Sequence, residues 1–283
     1  MKTISKDIKA LAIATIASAL TLVGCQDPDY PTPNVTVTGP ATSTARALFV
    51  NASPNSPALN FLVENVQMAQ SLAPGQNSNY VTIPVGNIQL RAKAASGAIG
   101  GTLGSNDILY RAGATNQNNF ASTVNTNYSI FVTDTIQRPA PTTPAGVTNP
   151  GGPQFLFVTD TLTAPAAGNA KFRFFNLSPD VTGVASSTTA GPVSIRILNA
   201  SGASVATFAN RAYRTATGTT LRYTSLPAGT YVTQVYSGTA VLALTVTPVA
   251  SSTVTMADGK IYTLYSQGLR RNNTLSVGVV QHN

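Results

Sequence analysis

Past residue 25, apolar and polar positions alternate with a period of two over short runs, and β-branched and aromatic residues fill many of the apolar places. Runs over 193–198, 230–236 and 241–247 are predicted strands on this pattern, and nothing beyond the first 25 residues has helical periodicity. Strands this short, with turn signals roughly every 8–12 residues, predict an all-β chain folded as β-sandwiches. Alternate residues such as Phe49, Phe172 and Phe174 would then point into the cores. With no helices to serve as crossovers, the sheets are expected to be antiparallel.

The pattern occurs twice. Arg46-Ala47-Leu48-Phe49-Val50-Asn51-Ala52-Ser53-Pro54-Asn55 is echoed by Lys171-Phe172-Arg173-Phe174-Phe175-Asn176-Leu177-Ser178-Pro179-Asp180. Tyr80-Val81-Thr82-Ile83-Pro84-Val85-Gly86-Asn87-Ile88, with a tight Pro-x-Gly turn at its centre, corresponds to Tyr223-Thr224-Ser225-Leu226-Pro227-Ala228-Gly229-Thr230-Tyr231, and Asn127-Tyr128-Ser129-Ile130-Phe131-Val132 to Lys260-Ile261-Tyr262-Thr263-Leu264-Tyr265. Asp258-Gly259 before the last of these is a hairpin signal. Three echoes in one order predict two tandem domains, 45–163 and 171–283, joined by a linker at 164–170. The Pro-rich stretch 139–153 then belongs inside the first domain, as the long loop of a closing hairpin built from 128–135 and 154–162.

The first 24 residues read as a secretory leader, with Lys2, Lys6 and Lys9 ahead of an uncharged apolar run from Ala10 to Val23. As a helix that run spans roughly 21 Å, short of the ~30 Å hydrocarbon core. Leu22-Val23-Gly24-Cys25 resembles the bacterial lipobox, which implies cleavage before Cys25 and lipid on its thiol. Cys25 is the only cysteine, so no disulfide can form within the molecule. Residues 25–44 read as the lipidated cysteine and a Pro-rich tether. Asp27 and Asp29 are similar to the acidic export signals of surface lipoproteins in Bacteroidota, which favours an outward-facing position on the outer membrane of a bacterial envelope.

Composition narrows the chemistry further. Charged residues make up 9% of the chain, and the net charge of +8 is scattered with no stripe that would track nucleic acid. The single histidine, His282, is the second residue from the end, where a triad or metal ligand would sit on a fraying terminus. Apart from Asp27 and Asp29 of the tether, the acids are few and spread out, with Glu64 the only glutamate and no pair at short spacing. The Gly-rich stretch 97–104 lacks the Lys-Ser/Thr and the helix of a phosphate loop and reads as an inter-strand loop. Asn51-Ala52-Ser53 and Asn176-Leu177-Ser178 match a glycosylation sequon but are expected to form Asx or Ser turns.

Asp134-Thr135-Ile136 and Asp160-Thr161-Leu162 resemble the O-glycosylation sequon of exported Bacteroidota proteins, which makes Thr135 and Thr161 candidate acceptors. Tyr223, Tyr231, Tyr236, Tyr262 and Tyr265, with Arg214 and Arg222, could form a glycan platform or cover a sandwich core. Tyr262 and Tyr265 differ in strand parity and should point to opposite faces.

The Asn-x-Ser-Pro openings and the Leu-Pro-Ala-Gly-Thr-Tyr turn resemble the family called domain of unknown function 4397, in both halves. The resemblance implies an exported β-sandwich common in lipoproteins and carries no activity or site residues with it. Fold class is therefore expected to be two tandem Ig-like or prealbumin-like antiparallel β-sandwiches. The expected role is non-enzymatic and without cofactor or metal: structural display on the membrane through Cys25, or binding of envelope polysaccharide, matrix or another surface protein. The alternative is a glycan-active enzyme or an accessory subunit of one, which needs two carboxylates from distant loops to converge.

Overall fold

The computed structural model describes residues 43–96, 107–109, 119–136, 152–180, 191–238 and 246–283. Cys25 with its leader and most of its tether, the Gly-rich stretch, most of 139–153 and most of the strand expected at 241–247 lie outside these residues. Among the described residues the chain is all-β and forms two sandwiches of two sheets each.

The first sandwich contains β1 (Thr44–Asn51), β2 (Leu59–Val63), β3 (Val66–Leu72), β4 (Val81–Pro84), β5 (Gly86–Ala94), β6 (Asp107–Leu109), β7 (Asn119–Ser122), β8 (Asn127–Thr133) and β9 (Gln154–Asp160). One sheet runs β4-β1-β8-β9, the other β3-β2-β5-β6, with β7 also paired to β5. The second contains β10 (Asn169–Asn176), β11 (Val193–Leu198), β12 (Ser204–Arg211), β13 (Thr224–Pro227), β14 (Gly229–Ser237), β15 (Ala250–Met256), β16 (Ile261–Gln267) and β17 (Ser276–Gln281). Its sheets run β13-β10-β16-β17 and β12-β11-β14-β15. The stretch 139–153 connects β8 to β9, which pair antiparallel from Asn127 opposite Asp160 to Thr133 opposite Gln154.

One feature departs from the antiparallel expectation. β1 pairs in parallel with β8, Arg46 opposite Asn127 through Asn51 opposite Val132, and β10 pairs in parallel with β16, Lys171 opposite Ile261 through Asn176 opposite Ser266. A parallel pair needs a long crossover. Here the opposite sheet of the same sandwich supplies it, so helices are unnecessary.

Strand alternation fills each core. Ala45, Ala47 and Phe49 of β1 face Leu59, Phe61 and Val63 of β2, and Phe49 stacks 5.1 Å from Phe61. In the second sandwich Phe172 and Phe174 pack with Ile195, Ile197 and Phe208. A tyrosine hydroxyl accepts a backbone N–H five residues upstream in each domain: Thr123 N–H to Tyr128 and Ala257 N–H to Tyr262, both 3.0 Å.

The repeated asparagine ends β1 and β10 by substituting for backbone partners. Asn51 Nδ2 donates to the carbonyls of Pro57 (3.2 Å) and Leu72 (2.9 Å), and its Oδ1 accepts from Ser53 N–H (3.2 Å) and Ser56 Oγ (3.0 Å). Asn176 Nδ2 donates to Gly191 and Arg211 carbonyls (3.0 and 3.2 Å), while its Oδ1 accepts from Ser266 Oγ (2.9 Å). The Asx turn expected after Asn51 is present; in the second domain Ser266 Oγ accepts the Ser178 amide instead (3.3 Å). Ser53 and Ser178 hydroxyls then tie to the carbonyls of Asp134 (2.6 Å) and Gly268 (2.9 Å), just past the parallel partner strands. The fifth residue of each motif caps the same segment. Asn55 Oδ1 accepts from Ile136 N–H (3.1 Å), and the Asp180 carboxylate accepts from the amides of Arg270 (2.6 Å) and Arg271 (3.3 Å).

Removing a buried amide that satisfies two carbonyls leaves both bare, at about 1–3 kcal/mol for each unsatisfied group. Asn176→Ala is therefore expected to lower stability by about 3 kcal/mol in urea denaturation; a loss below about 1 kcal/mol contradicts this role.

Candidate functional site

Sheets β4-β1-β8-β9 and β13-β10-β16-β17 are apolar on both faces. One face of each lines its own sandwich core; the other contributes to a third buried cluster, in which Leu48, Val50, Phe131 and Val158 of the first domain meet Phe175, Leu177, Tyr265 and Val280 of the second. Phe131 meets Phe175 and Tyr265 edge-on, with centroids 6.3 and 5.7 Å apart. Burying an aromatic of this size contributes roughly 1.5–3 kcal/mol, so the joint is a third core rather than a loose contact. Tyr262 lines the inner core and Tyr265 the joint, as strand parity requires.

Beside this apolar layer lies a polar one, drawn from both domains. Asp160, the last residue of β9, and Arg173 of β10 form an ion pair through Asp160 Oδ1 with both side chains fully buried. Asp160 Oδ2 accepts from Tyr80 Oη (2.6 Å) and Ser129 Oγ (2.8 Å). Arg173 also donates from Nε to Thr263 Oγ1 (2.9 Å) and from Nη1 to the Thr159 carbonyl (3.2 Å). Its guanidinium lies over the rings of Phe175 and Tyr223, 5.0 and 4.7 Å from their centroids.

His282 completes the layer. Instead of fraying, the end of the chain is held on β16: His282 N–H donates to the Ile261 carbonyl (2.9 Å), and the Asn283 side chain bonds Ile261 N–H and the Gly259 carbonyl (2.8 Å each). The imidazole is buried, with Nδ1 2.8 Å from Tyr80 Oη and Nε2 2.7 Å from Thr263 Oγ1. Tyr80 gives its one proton to Asp160, so its oxygen accepts from Nδ1–H. Nε2 is then bare and accepts from Thr263. The circuit assigns a neutral ring with its proton on Nδ1.

Burial pushes His282 down to about 4, with Arg173 adding to this and Asp160 opposing it. Burial likewise holds the phenols of Tyr80 and Tyr223 above their usual range. Hydroxyl, imidazole and carboxylate here superficially match a nucleophilic triad, but Thr263 is fully buried, accepts from Arg173, and Tyr80 stands between His282 and Asp160. The arrangement is a buried hydrogen-bonded network that ties the two sandwiches together.

The other sites expected from sequence separate. Thr135 is buried, its amide bonded to the Asp134 carboxylate (2.9 Å), whereas Thr161 is exposed while Asp160 beside it turns inward. Tyr231, Tyr236, Tyr262 and Tyr265 are buried, so these tyrosines form no exposed platform, and Arg214 reaches across to Gln154 and the Phe155 carbonyl. The described carboxylates are engaged one by one: Glu64 with Gln89 N–H, Asp180 with the Arg270 and Arg271 amides, Asp258 with Gly168 N–H. Among the described residues no three His, Cys, Asp or Glu side chains gather as a metal site. A groove of about 160 Å³ opens at the domain boundary between Ser53, Pro54, Gly75, Gln267 and Thr274, with no charged lining and below the ~300 Å³ of small-molecule sites.

An imidazole at 6.5 when unfolded and about 4 when folded makes the unfolded chain bind more protons between those values. Stability is then fully present above pH 6.5 and is lost as pH falls toward 4, by about 3 kcal/mol in all. His282→Gln is expected to remove this slope in denaturation measured across that range. Arg173→Met leaves Asp160 buried without its partner and is expected to destabilise by about 3–5 kcal/mol.

Comparison with known proteins gives a family and little more. No curated protein sequence matches the chain. Among solved structures, the Bacillus anthracis TIE protein aligns at 11% identity and a TM-score of 0.23, covering 80% of this chain and 34% of that one. The chain thus spans about a third of that protein's length. The family described as "Domain of unknown function (DUF4397)" matches residues 45–187, from β1 through β10 and beyond. Matched over just over half of its 283 residues, the chain belongs to the DUF4397 family.

Proposed function

We propose that this protein is a lipid-anchored, non-enzymatic display module of a bacterial envelope, fixed to the outer membrane through Cys25 and holding two copies of one sandwich domain outward as a rigid pair. The observation that carries the reading is the joint. Asp160, Arg173 and His282, the groups best suited to chemistry, hold the two domains together in a dry layer. Such a pair works as a stiff spacer or as a binding surface for envelope polysaccharide, matrix or another surface protein. The reading of two copies is supported by matching strand orders, by both parallel registers, and by the Asn-x-Ser-Pro-Asx caps. The leader and lipobox-like residues support the anchor. The exposure of Thr161, just past the end of β9, supports it over the buried Thr135 as a glycan acceptor.

Intact-mass measurement of the native protein tests the anchor. The expected species begins at Cys25 and carries acyl chains, and Cys25→Ala loses both the lipid and membrane retention. A retained leader or a free thiol at position 25 overturns the location. Glycan arrays and pull-downs with the soluble fragment starting at Asp27 test the display role: a retained ligand supports it. Hydrolysis of an array glycan in place of retention overturns it.

A further inference from the structure

We propose that the joint between the two sandwiches is an acid-opened latch: its hydrogen-bond circuit accepts His282 only as a neutral imidazole, and protonation separates the domains while each keeps its own core. The argument rests on counting protons and charges. Tyr80 faces the imidazole from the segment before β4, with Arg46 lying over its ring (5.0 Å). Asp160 faces it from β9 (3.9 Å to Nδ1), Thr263 from β16, and Tyr223 from the segment before β13, edge-on at 6.4 Å. Arg173 of β10 reaches it through Thr263.

With His282 neutral, Asp160 and Arg173 cancel, and the protons on Nδ1, on Tyr80 Oη and on Thr263 Oγ1 each have an acceptor. A second proton must sit on Nε2, which points at Thr263 Oγ1. That hydroxyl already accepts from Arg173 Nε and donates its own proton to the imidazole, so it has to turn away and receive two cationic donors at once. The layer then carries an uncompensated positive charge beside Phe175, and the one carboxylate in it already accepts from Arg173, Tyr80 and Ser129.

Parting the sheets is the way this charge reaches water. Asp160 and Tyr80 would leave with the first domain, and Arg173, Thr263 and His282 with the second. The two sandwich cores contain neither the imidazole nor its partners and have no reason to respond.

The soluble mature chain with Cys25→Ser tests the latch by small-angle scattering and by hydroxyl-radical footprinting of side chains. Opening should rise by up to about tenfold per pH unit as pH falls from 6.5 toward 4. The radius of gyration should increase, and the side chains of Phe131, Phe175 and Tyr265 in the joint should become open to labelling before those of Phe61 and Phe172 in the two cores. His282→Gln should show no such step. Wild type and variant tracking each other across this range, or joint and core side chains losing protection together, overturns the proposal. Should the variant fail to fold, ¹⁵N resonances of the chain's one imidazole decide it in wild type. A neutral ring protonated on Nδ1, whose titration coincides with loss of joint protection, supports the latch. A ring protonated on Nε2, or one that titrates without disturbing the joint, overturns it.

Discussion

A buried charge tolerates no vacancy opposite it. Asp160 and Arg173 sit on different sandwiches with both side chains removed from water, so neither domain can keep its own member dry and paired without the other. Sliding one sheet over the other by a residue would leave a bare carboxylate or a bare guanidinium in a layer removed from water. The ion pair thus fixes the register of a joint that apolar contacts alone would leave free to shift, and Tyr80, Ser129, Thr263 and His282 satisfy what remains of the two charged groups. What the joint gains in definition it owes to its apolar neighbours, since burial of Phe131, Phe175 and Tyr265 offsets the desolvation of the charges.

Within each sandwich the order is set by a different constraint. Parallel pairing of the opening strand with the closing hairpin leaves the chain to turn sharply at the end of β1 and of β10, where backbone groups lose their ladder partners. Asn51 and Asn176 fill that gap with side-chain amides, and Ser53, Ser178, Asn55 and Asp180 fasten the turn to the segment leaving β8 or β16. The edge strands use a shared device too. Ser71 in β3 and Asn210 in β12 adopt positive φ at irregularities in the ladder, and their amides bond to Asn60 Oδ1 and Ser194 Oγ. Bulges of this kind twist an exposed edge out of reach of another strand.

Much of this was legible in the sequence. Period-two alternation located β11, whose bounds match 193–198, and the echoes in the closing region placed β8 and β9 as partners across the Pro-rich stretch. The parallel pairs were not legible, because periodicity gives a strand its faces but not its neighbours. The joint is hidden from alternation for a different reason. Ala47-Leu48-Phe49-Val50 is apolar on both faces and Phe172-Arg173-Phe174-Phe175 carries Phe175 on its second face, which signals sheets covered on both sides, whereas alternation by itself names a core for one face only. Nearness to the end of the chain predicts exposure for His282, whereas its neighbour Asn283 pins that end to Gly259 and Ile261. A lone arginine among phenylalanines was the cue that a carboxylate had to come from elsewhere.

The central claim, that two sandwiches are held as one cooperative body by a buried circuit between them, is most directly tested by scanning calorimetry of the soluble mature chain at neutral pH. The account predicts a single transition whose calorimetric and van't Hoff enthalpies agree. Two resolved transitions, with the 45–163 fragment reproducing one of them on its own, would contradict it.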